Sequence, residues 1–199
     1  ERELQRQGAL SRLLESLAAA ANKADTPEQA LAACLERICA YGGWICGDVL
    51  RIARHGDAWQ GAGTQWHFTD PRHRERFSQL VERSAQKGLG NPDAIFINRV
   101  IGTRGARWIP DLDQVKCGPR LTCARGAGVR AAFAFPIIVR DEIAACVEFF
   151  CTEAREPDAA FIEAAGDIAS HLARVIEREL SGKVRAHLAA IVQTSPDAI

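Results

Sequence analysis

Two apolar runs in the second half of the chain predict a pair of buried strands. Val129–Val139 and Ile143–Cys151 are rich in β-branched and aromatic residues, and the polar residues 140–142 separate them. A polar break of that length predicts a β-hairpin. Because each run is largely apolar on both of its faces, the sheet that contains these strands needs a cover on both sides.

Helical spacing of apolar residues predicts those covers. A helix begins near Glu156-Pro157-Asp158, and its apolar residues recur every three or four positions from Phe161 onward. Other predicted elements are helices at 1–24, 27–42, 69–86 and 94–101, and strands at 44–52, 58–68 and 107–109. The predicted fold class is therefore α+β, an α/β sandwich in which helices cover both sides of a central antiparallel sheet, with long N- and C-terminal helices.

The order of motifs around the hairpin resembles the second half of a GAF domain. The chain has, in order, GVRAAFAFP, a charged turn, EIAACVEFF and REPD at the start of a long helix. In addition, WIPD at 108–111 is similar to that family's strand and the Asp that follows it. The resemblance spans about residues 26–180. One segment departs from it, since DAIFIN at 93–98 replaces the GxGLxG turn of many relatives. The resemblance implies a GAF-like fold and a sensory role in a bacterial signalling protein.

The same reading divides the chain into four parts. We predict an N-terminal dimerisation and signalling helix at 1–24, the GAF domain at 25–180, a linker helix at 181–193 and the beginning of a PAS domain at 194–199. The last part rests on RAHLAAIVQTSPDAI, which resembles the entry to a PAS domain. That resemblance implies downstream PAS and output domains in the same chain, of the kind found in histidine kinases and cyclic-dinucleotide enzymes.

Charge and composition exclude several classes of partner. The 25 basic and 25 acidic residues balance, so no strong field attracts nucleic acid or an anionic membrane. The longest apolar run, 131–139, is too short to cross a bilayer, and residues 1–7 show no signal-peptide pattern. Seven cysteines without a CxxC pair favour a reducing compartment. We therefore expect a cytoplasmic protein with no nucleic-acid partner and no membrane contact by this part of the chain.

The candidate ligand site centres on residues 111–128, which predict a long loop with at most a helical turn. The GAF resemblance makes this loop a lid over a small-molecule pocket, and the alternative is a mobile surface loop. Arg120 suits a carboxylate or phosphate, and as a loop residue it should affect binding without affecting folding. Glu148 lies in an apolar strand beside Cys146, so it needs either a ligand or an internal partner such as Arg. The predicted ligand-binding set is Phe96, Trp108, Asp111, Cys117, Arg120, Cys123, Phe135 and Glu148.

Four functions compete for this fold. A sensor that binds a small molecule of unknown identity comes first, and a ligand-free dimerising spacer comes second. A thiol enzyme like free methionine sulfoxide reductase would use Cys123, but 94–105 lacks the second thiol that this resemblance implies. A bilin-binding photosensor usually has His after the lid Cys, and Ala124 stands there instead. We expect no catalytic residue and no metal site among the five scattered histidines, and the sequence does not identify a cofactor.

Apolar stripes on the terminal helices predict a parallel homodimer. The stripes exceed what one sheet face can cover, so a second copy would bury the remainder in a helical bundle. Their residues are Leu10, Leu13, Leu14 and Leu17 in the first helix and Leu172, Ile176, Leu180, Val184 and Leu188 in the last.

Overall fold

A computed structural model describes the backbone of residues 2–55, 58–78, 95–116 and 118–194. The helices and strands follow one another in the order α1 (Arg2–Lys23), α2 (Pro27–Gly42), β1 (Cys46–His55), β2 (Ala58–Phe68), α3 (Arg72–Arg76), α4 (Ile95–Thr103), β3 (Arg107–Ile109), a 3-10 turn (Leu112–Gln114), α5 (Pro119–Gly126), β4 (Ala131–Val139), β5 (Glu142–Cys151) and α6 (Ala159–Thr194). Within these ranges no helix combines the length and the apolar character that crossing a bilayer requires.

The five strands form one antiparallel sheet in the order β2-β1-β5-β4-β3. The predicted hairpin joins β4 to β5 through Arg140 and Asp141, both of which adopt positive φ. Two consecutive left-handed residues match the twist of a two-residue hairpin. The register places Asp48 of β1 opposite both Trp66 of β2 and Glu148 of β5. The α+β class and the central antiparallel sheet are thus confirmed.

Helices cover both faces of the sheet, as the apolar character of both strand faces predicts. One face, here called the aromatic face, packs against α1, α2 and α6. Its centre is Phe133, whose ring lies 5.1–6.5 Å from five other aromatic rings: Trp44, Trp108, Phe135, Phe149 and Phe161. The other face, here called the acidic face, packs against α4, α5 and the 3-10 turn.

The predicted loop at 111–128 contains more regular structure than its sequence suggested. Leu112–Gln114 forms a 3-10 turn and Pro119–Gly126 forms α5. Proline at the first helical position favours this start, and Leu121 and Ala124, three residues apart, are buried on the acidic face. The long-loop prediction is therefore wrong for 119–126, because eight residues are too few to show a clear helical period.

The terminal helices bury most of their apolar stripes inside their own chain. Leu13 and Leu17 of α1 lie in the core beside Leu172 and Ile176 of α6. A hydrogen bond from Arg178 Nη2 to the carbonyl of Ala21 joins the two helices. These four side chains do not need a second copy to cover them, which corrects part of the argument for a dimer. Leu180 differs, since it is 42% exposed.

The last helix is continuous from Ala159 to Thr194 and is 36 residues long. Ser181 and Gly182, which break the apolar pattern, do not interrupt it. At 1.5 Å per residue it extends about 54 Å. The predicted PAS start at 195–199 lies outside the described residues, as does the part of the predicted polar helix beyond residue 78.

Candidate ligand-binding site

Two carboxylates lie side by side in the middle of the acidic face. Asp48 and Glu148 are a directly opposed pair on neighbouring strands, and both are fully buried. Opposed side chains on antiparallel strands have Cβ atoms about 4.5–5.5 Å apart, so the two acids are in contact range. Strand alternation produces this placement because Cys46, Asp48 and Leu50 share one face of β1, and Cys146, Glu148 and Phe150 share the same face of β5.

A single arginine pairs with both carboxylates. Arg120 is the second residue of α5, and its Nη2 lies 3.1 Å from Asp48 Oδ2 and also donates to Glu148 Oε2. Its side chain is 12% exposed, so it lies over the two acids with only a small part in contact with solvent. Its guanidinium carbon is 5.8 Å from the centroid of the Trp66 ring. We call Asp48, Arg120 and Glu148 the acid–arginine cluster.

The cluster holds an excess of negative charge that burial makes unfavourable. Burial and the neighbouring Glu148 carboxylate raise the pKa of Asp48 well above its ordinary value, although Arg120 acts in the opposite direction. For Arg120, burial alone would lower the pKa, but the carboxylates of Glu148 and Asp48 raise it. Asp48 therefore keeps its proton to a higher pH than an exposed carboxyl group does, and the arginine stays charged.

Some buried polar atoms at the cluster have no hydrogen-bond partner in the part of the chain that the structure describes. Asp48 Oδ1, Glu148 Oε1 and Trp66 Nε1 are among them. Trp66 faces Asp48 across the β1–β2 ladder, and its ring stacks on Phe68 and Phe150 at 5.6 and 6.2 Å. Because buried polar groups are nearly always paired, such atoms are candidates for contact with a ligand. The site can thus offer two acceptors, one donor and an aromatic wall.

The structure places four of the residues in the predicted ligand-binding set on the acidic face. Arg120 and Glu148 are in contact, so of the two kinds of partner that the sequence left open for Glu148, a ligand or an internal group, the fold supplies an internal arginine. Phe96 of α4 and Cys123 of α5 lie in the same hydrophobic cluster on the acidic face. Sequence reasoning missed Asp48 and Trp66. The signal for Asp48 was the same as for Glu148, a lone carboxylate at an inward position of an apolar strand.

Asp111 belongs to a different network. Its carboxylate accepts from Nε and Nη2 of Arg130 at 3.0 and 2.9 Å and caps the 3-10 turn by accepting from the backbone N–H of Asp113. Gln114 Nε2 also donates to it. These bonds fasten the beginning of the 111–128 segment to the start of β4, so Asp111 anchors that segment.

Two other predicted ligand residues lie on the wrong side of the sheet. Phe135 and Trp108 pack in the aromatic face, so they cannot line a pocket with Arg120 and Glu148. Trp108 Nε1 donates to the carbonyl of Arg155, and its ring borders a separate cavity of about 390 Å³ beside Tyr41 and Trp44. The strand pairing places Phe135 in the core and packs Trp108 against it. Cys117 lies outside the described residues.

The cysteines do not form a reactive pair or a metal site among the described residues. Cys34, Cys39, Cys46, Cys146 and Cys151 are buried, as their apolar neighbours predict. Burial raises the pKa of the Cys39 thiol to about 12, and it raises the pKa values of Cys34, Cys46 and Cys146 as well. Thiols in that environment are poor nucleophiles. Over the same ranges no group of three potential ligands could hold a metal ion.

The Asp111–Arg130 network predicts a specific acid sensitivity. The hydrogen bonds from Arg130, followed by that from Asp113, lower the pKa of Asp111 from 3.8 to about 2. A depressed pKa adds stability that is present above the ordinary pKa and is lost as pH falls through the folded value. Asp111→Asn should therefore flatten the decline of unfolding free energy between about pH 4 and 2. Urea unfolding across that range measures it, with Asp113→Asn as the matched control, and an unchanged acid slope would refute the assignment.

Comparison with known proteins identifies the architecture. No protein-family model matches the sequence, and no curated protein matches it. Among solved structures, the GAF domain of a phosphoenolpyruvate-protein phosphotransferase from Coxiella burnetii superposes with a TM-score of 0.64 at 16% identity, over 88% of this chain and 96% of that one. The chain has the GAF fold. The resemblance drawn from the hairpin motifs is thus confirmed at the level of the fold.

Two further GAF-fold neighbours differ in their function. The GAF domain of a Pseudomonas syringae protein assigned as a sensor histidine kinase matches at 20% identity and a TM-score of 0.60, over 92% of this chain and 97% of that one. Free methionine-R-sulfoxide reductase from Neisseria meningitidis, solved with its substrate, matches at 11% identity and a TM-score of 0.63. The match covers 87% of this chain and 91% of that one. At these identities the likeness establishes the fold, and the GAF fold serves both regulatory and enzymatic proteins.

Proposed function

We propose that this domain is a sensory and regulatory module that binds a small molecule on the acidic face, beneath the 111–128 segment. The observation that carries the proposal is the acid–arginine cluster, in which two fully buried carboxylates each have one oxygen that finds no partner among the described residues. The cluster lies at the start of α5, which packs on this face of the sheet through Leu121 and Ala124. GAF-fold neighbours from signalling proteins support the regulatory class.

The energetics of the cluster favour a sensor over a ligand-free spacer. Buried ion pairs generally add little stability compared with apolar side chains of the same size, because each charge loses its hydration. A spacer could fill the same positions with leucine and valine at no loss. A carboxylate pair with unpaired oxygens and an aromatic wall is more consistent with recognition than with packing.

Two ion pairs connect the strands of the site to the last helix. Arg51 lies three residues beyond Asp48 on β1. Its Nη1 is 3.8 Å from Oε2 of Glu179 in α6, and its Nη2 is 2.7 Å from Oε1 of Glu28 in α2. Arg140, in the hairpin after β4, pairs with Glu177 of α6 at 2.9 Å. A ligand that changed the spacing of β1 and β5 would act on α6 through these contacts. We propose this route for the signal, with differential ligand affinity for two helix positions as its driving force.

The proposed output geometry is a parallel homodimer in which α6 of each copy continues toward downstream domains. Among the α6 side chains that the structure describes, those up to residue 182, Leu180 is a large apolar side chain that is exposed. The helix itself continues to Thr194, beyond the residues that cover the sheet. A second copy is the simplest cover for an apolar position on a helix of that length. The PAS and output domains in the same chain and the cytoplasmic location are parts of this proposal.

The dimer predicts that Leu180→Asp shifts the protein toward monomer. The substitution places a charge in the proposed interface, whereas Leu172 and Ile176 are unsuitable test positions because they belong to the domain's own core. Sedimentation velocity at tens of micromolar measures the effect, since modest interfaces associate on the order of that concentration. Ala160→Asp adds the same charge at an exposed position near the start of α6 and serves as the control. A wild-type monomer at these concentrations would contradict the dimer.

Ligand binding is tested by the thermal stability of two proteins in the same extract. We define the neutral-cluster variant as Asp48→Asn, Arg120→Met and Glu148→Gln combined, which removes the charges while keeping similar volumes. The low-molecular-mass fraction of a bacterial extract should raise the Tm of the wild type by roughly 5 to 10 °C if it contains ligand at about 100 times Kd. The neutral-cluster variant should not respond. No shift in the wild type, or an equal shift in both proteins, would contradict the proposal.

We further propose that the domain is not itself an enzyme. The alternative, a free methionine sulfoxide reductase, has a specific point in its favour, because a protein of that activity shares the fold and Cys123 lies partly exposed on α5. Turnover of free methionine sulfoxide with a thioredoxin system should stay at background level in the wild type. Turnover that Cys123→Ser abolishes would reverse the assignment.

A further inference from the structure

The charges of the acid–arginine cluster do not balance. Two fully buried carboxylates face one guanidinium, so the cluster lacks one positive charge when both acids are ionised. Asp48 Oδ1 and Glu148 Oε1 also lack hydrogen-bond donors in the described part of the chain. What the site lacks is therefore one unit of positive charge together with N–H groups that can donate to two oxygens.

The surroundings of the two free oxygens favour a flat group. Trp66 lies opposite Asp48 in the sheet, and its ring stacks with those of Phe68 and Phe150. The face of an indole ring attracts cations, and Arg120 already approaches it. Planar cations such as amidinium and guanidinium present two N–H groups side by side, which matches acceptors on two neighbouring strands.

We propose that the acid–arginine cluster recognises a small organic cation, whose amidinium, guanidinium or ammonium group lies between the free oxygens of Asp48 and Glu148 and against Trp66. The inference rests on the proposed function, since it names the ligand class of the same site. Together with Arg120, one such cation neutralises the two carboxylates. Without it, the raised pKa of Asp48 allows a proton to serve instead.

An anionic ligand does not fit these contacts. On sequence grounds alone Arg120 suits a carboxylate or a phosphate, but in the fold its guanidinium is engaged by Asp48 and Glu148. An anion at this point would face two buried acids across one arginine and add to the excess of negative charge. The sign of the cluster therefore selects against the ligand class that the arginine by itself suggests.

Three probes of the same shape test the inference: benzamidinium, which is a cation, benzamide, which is neutral, and benzoate, which is an anion. Binding of each to the full chain is measured by ligand-observed NMR at neutral pH and concentrations up to about 10 mM. We expect benzamidinium to bind at least about tenfold more tightly than benzamide and benzoate not to bind. The neutral-cluster variant should lose the preference for the cation.

Each other outcome overturns the inference. Benzoate binding as tightly as benzamidinium would show that the charge of the cluster does not select the ligand, although the pocket would still bind small molecules. Benzamidinium binding that is equal in the wild type and the neutral-cluster variant would place the probe elsewhere. Absence of benzamidinium binding would remove the cation class, while the thermal response to extract would decide separately whether the proposed function stands.

Discussion

Replacing Arg120 by alanine should destabilise the domain by about 3 to 5 kcal/mol, because removing one partner of a buried ion cluster leaves the opposite charges without compensation. Asp48 and Glu148 are fully buried, so water cannot replace the guanidinium. The sequence predicted Arg120 to lie in a loop, where its replacement would hardly affect folding. The structure instead places it in α5 over the sheet, so we expect a large loss of stability. Urea unfolding at neutral pH measures the loss.

The neutral-cluster variant is the matched control for Arg120→Ala. The triple variant leaves no buried charge without a partner, although its two amides are still polar, so it should lose clearly less unfolding free energy than Arg120→Ala. The comparison separates the effect of unpaired charge from the effect of lost side-chain volume. A loss below about 1 kcal/mol for Arg120→Ala would show that the guanidinium does not compensate the two acids.

Replacing Phe133 by alanine should have a comparable effect, a loss of about 3 to 5 kcal/mol in unfolding free energy. Phe133 is fully buried at the centre of the aromatic face, within 5.2 Å of the rings of Trp108 and Phe161 and within 6.5 Å of Trp44 and Phe149. Alanine removes most of these contacts and leaves a cavity that rigid strands cannot close. Urea unfolding again measures the change.

Phe133→Leu provides the control for the core prediction, since leucine keeps an apolar side chain at the position and should lose clearly less. The two faces also predict different functional results. Phe133 has no contact with the acid–arginine cluster, so the folded fraction of Phe133→Ala should keep the wild-type affinity for benzamidinium. A loss below about 1 kcal/mol for Phe133→Ala would contradict the central place of this side chain in the core.

The centre of the sheet was predictable from the sequence because its two strands are continuous apolar runs. The hairpin of β4 and β5 was visible from two apolar runs and a polar turn, and its double-sided apolar character correctly required helices on both faces. The 111–128 segment was harder, since an eight-residue helix leaves only two buried positions, Leu121 and Ala124, from which to detect a period.

The candidate site was only partly predictable, because the local pattern of apolar and polar residues does not reveal which distant strands pair with each other. Glu148 was identified as a carboxylate that needs a partner, but Asp48 is 100 residues away, and only the register of β1 with β5 brings them together. Trp108 and Phe135 were predicted to bind the ligand, but the pairing of β3 with β4 and of β4 with β5 places them on the aromatic face.

The apolar stripes of the terminal helices illustrate another limit. Spacing of three and four residues correctly identified the buried sides of α1 and α6, but it does not reveal which surface covers them. The structure covers Leu13, Leu17, Leu172 and Ile176 within one chain. The dimer proposal therefore depends on Leu180 and on the length of α6. This is a smaller apolar surface than the complete stripes of both helices.

Native mass spectrometry tests most directly the claim that the acid–arginine cluster holds a small-molecule ligand. The wild type and the neutral-cluster variant are incubated with the same low-molecular-mass extract and analysed under identical conditions. The account predicts a non-covalent adduct on the wild type, released by collisional activation as a compound with a basic nitrogen, and no such adduct on the variant. The same adducts on both proteins, or none on either, would contradict it.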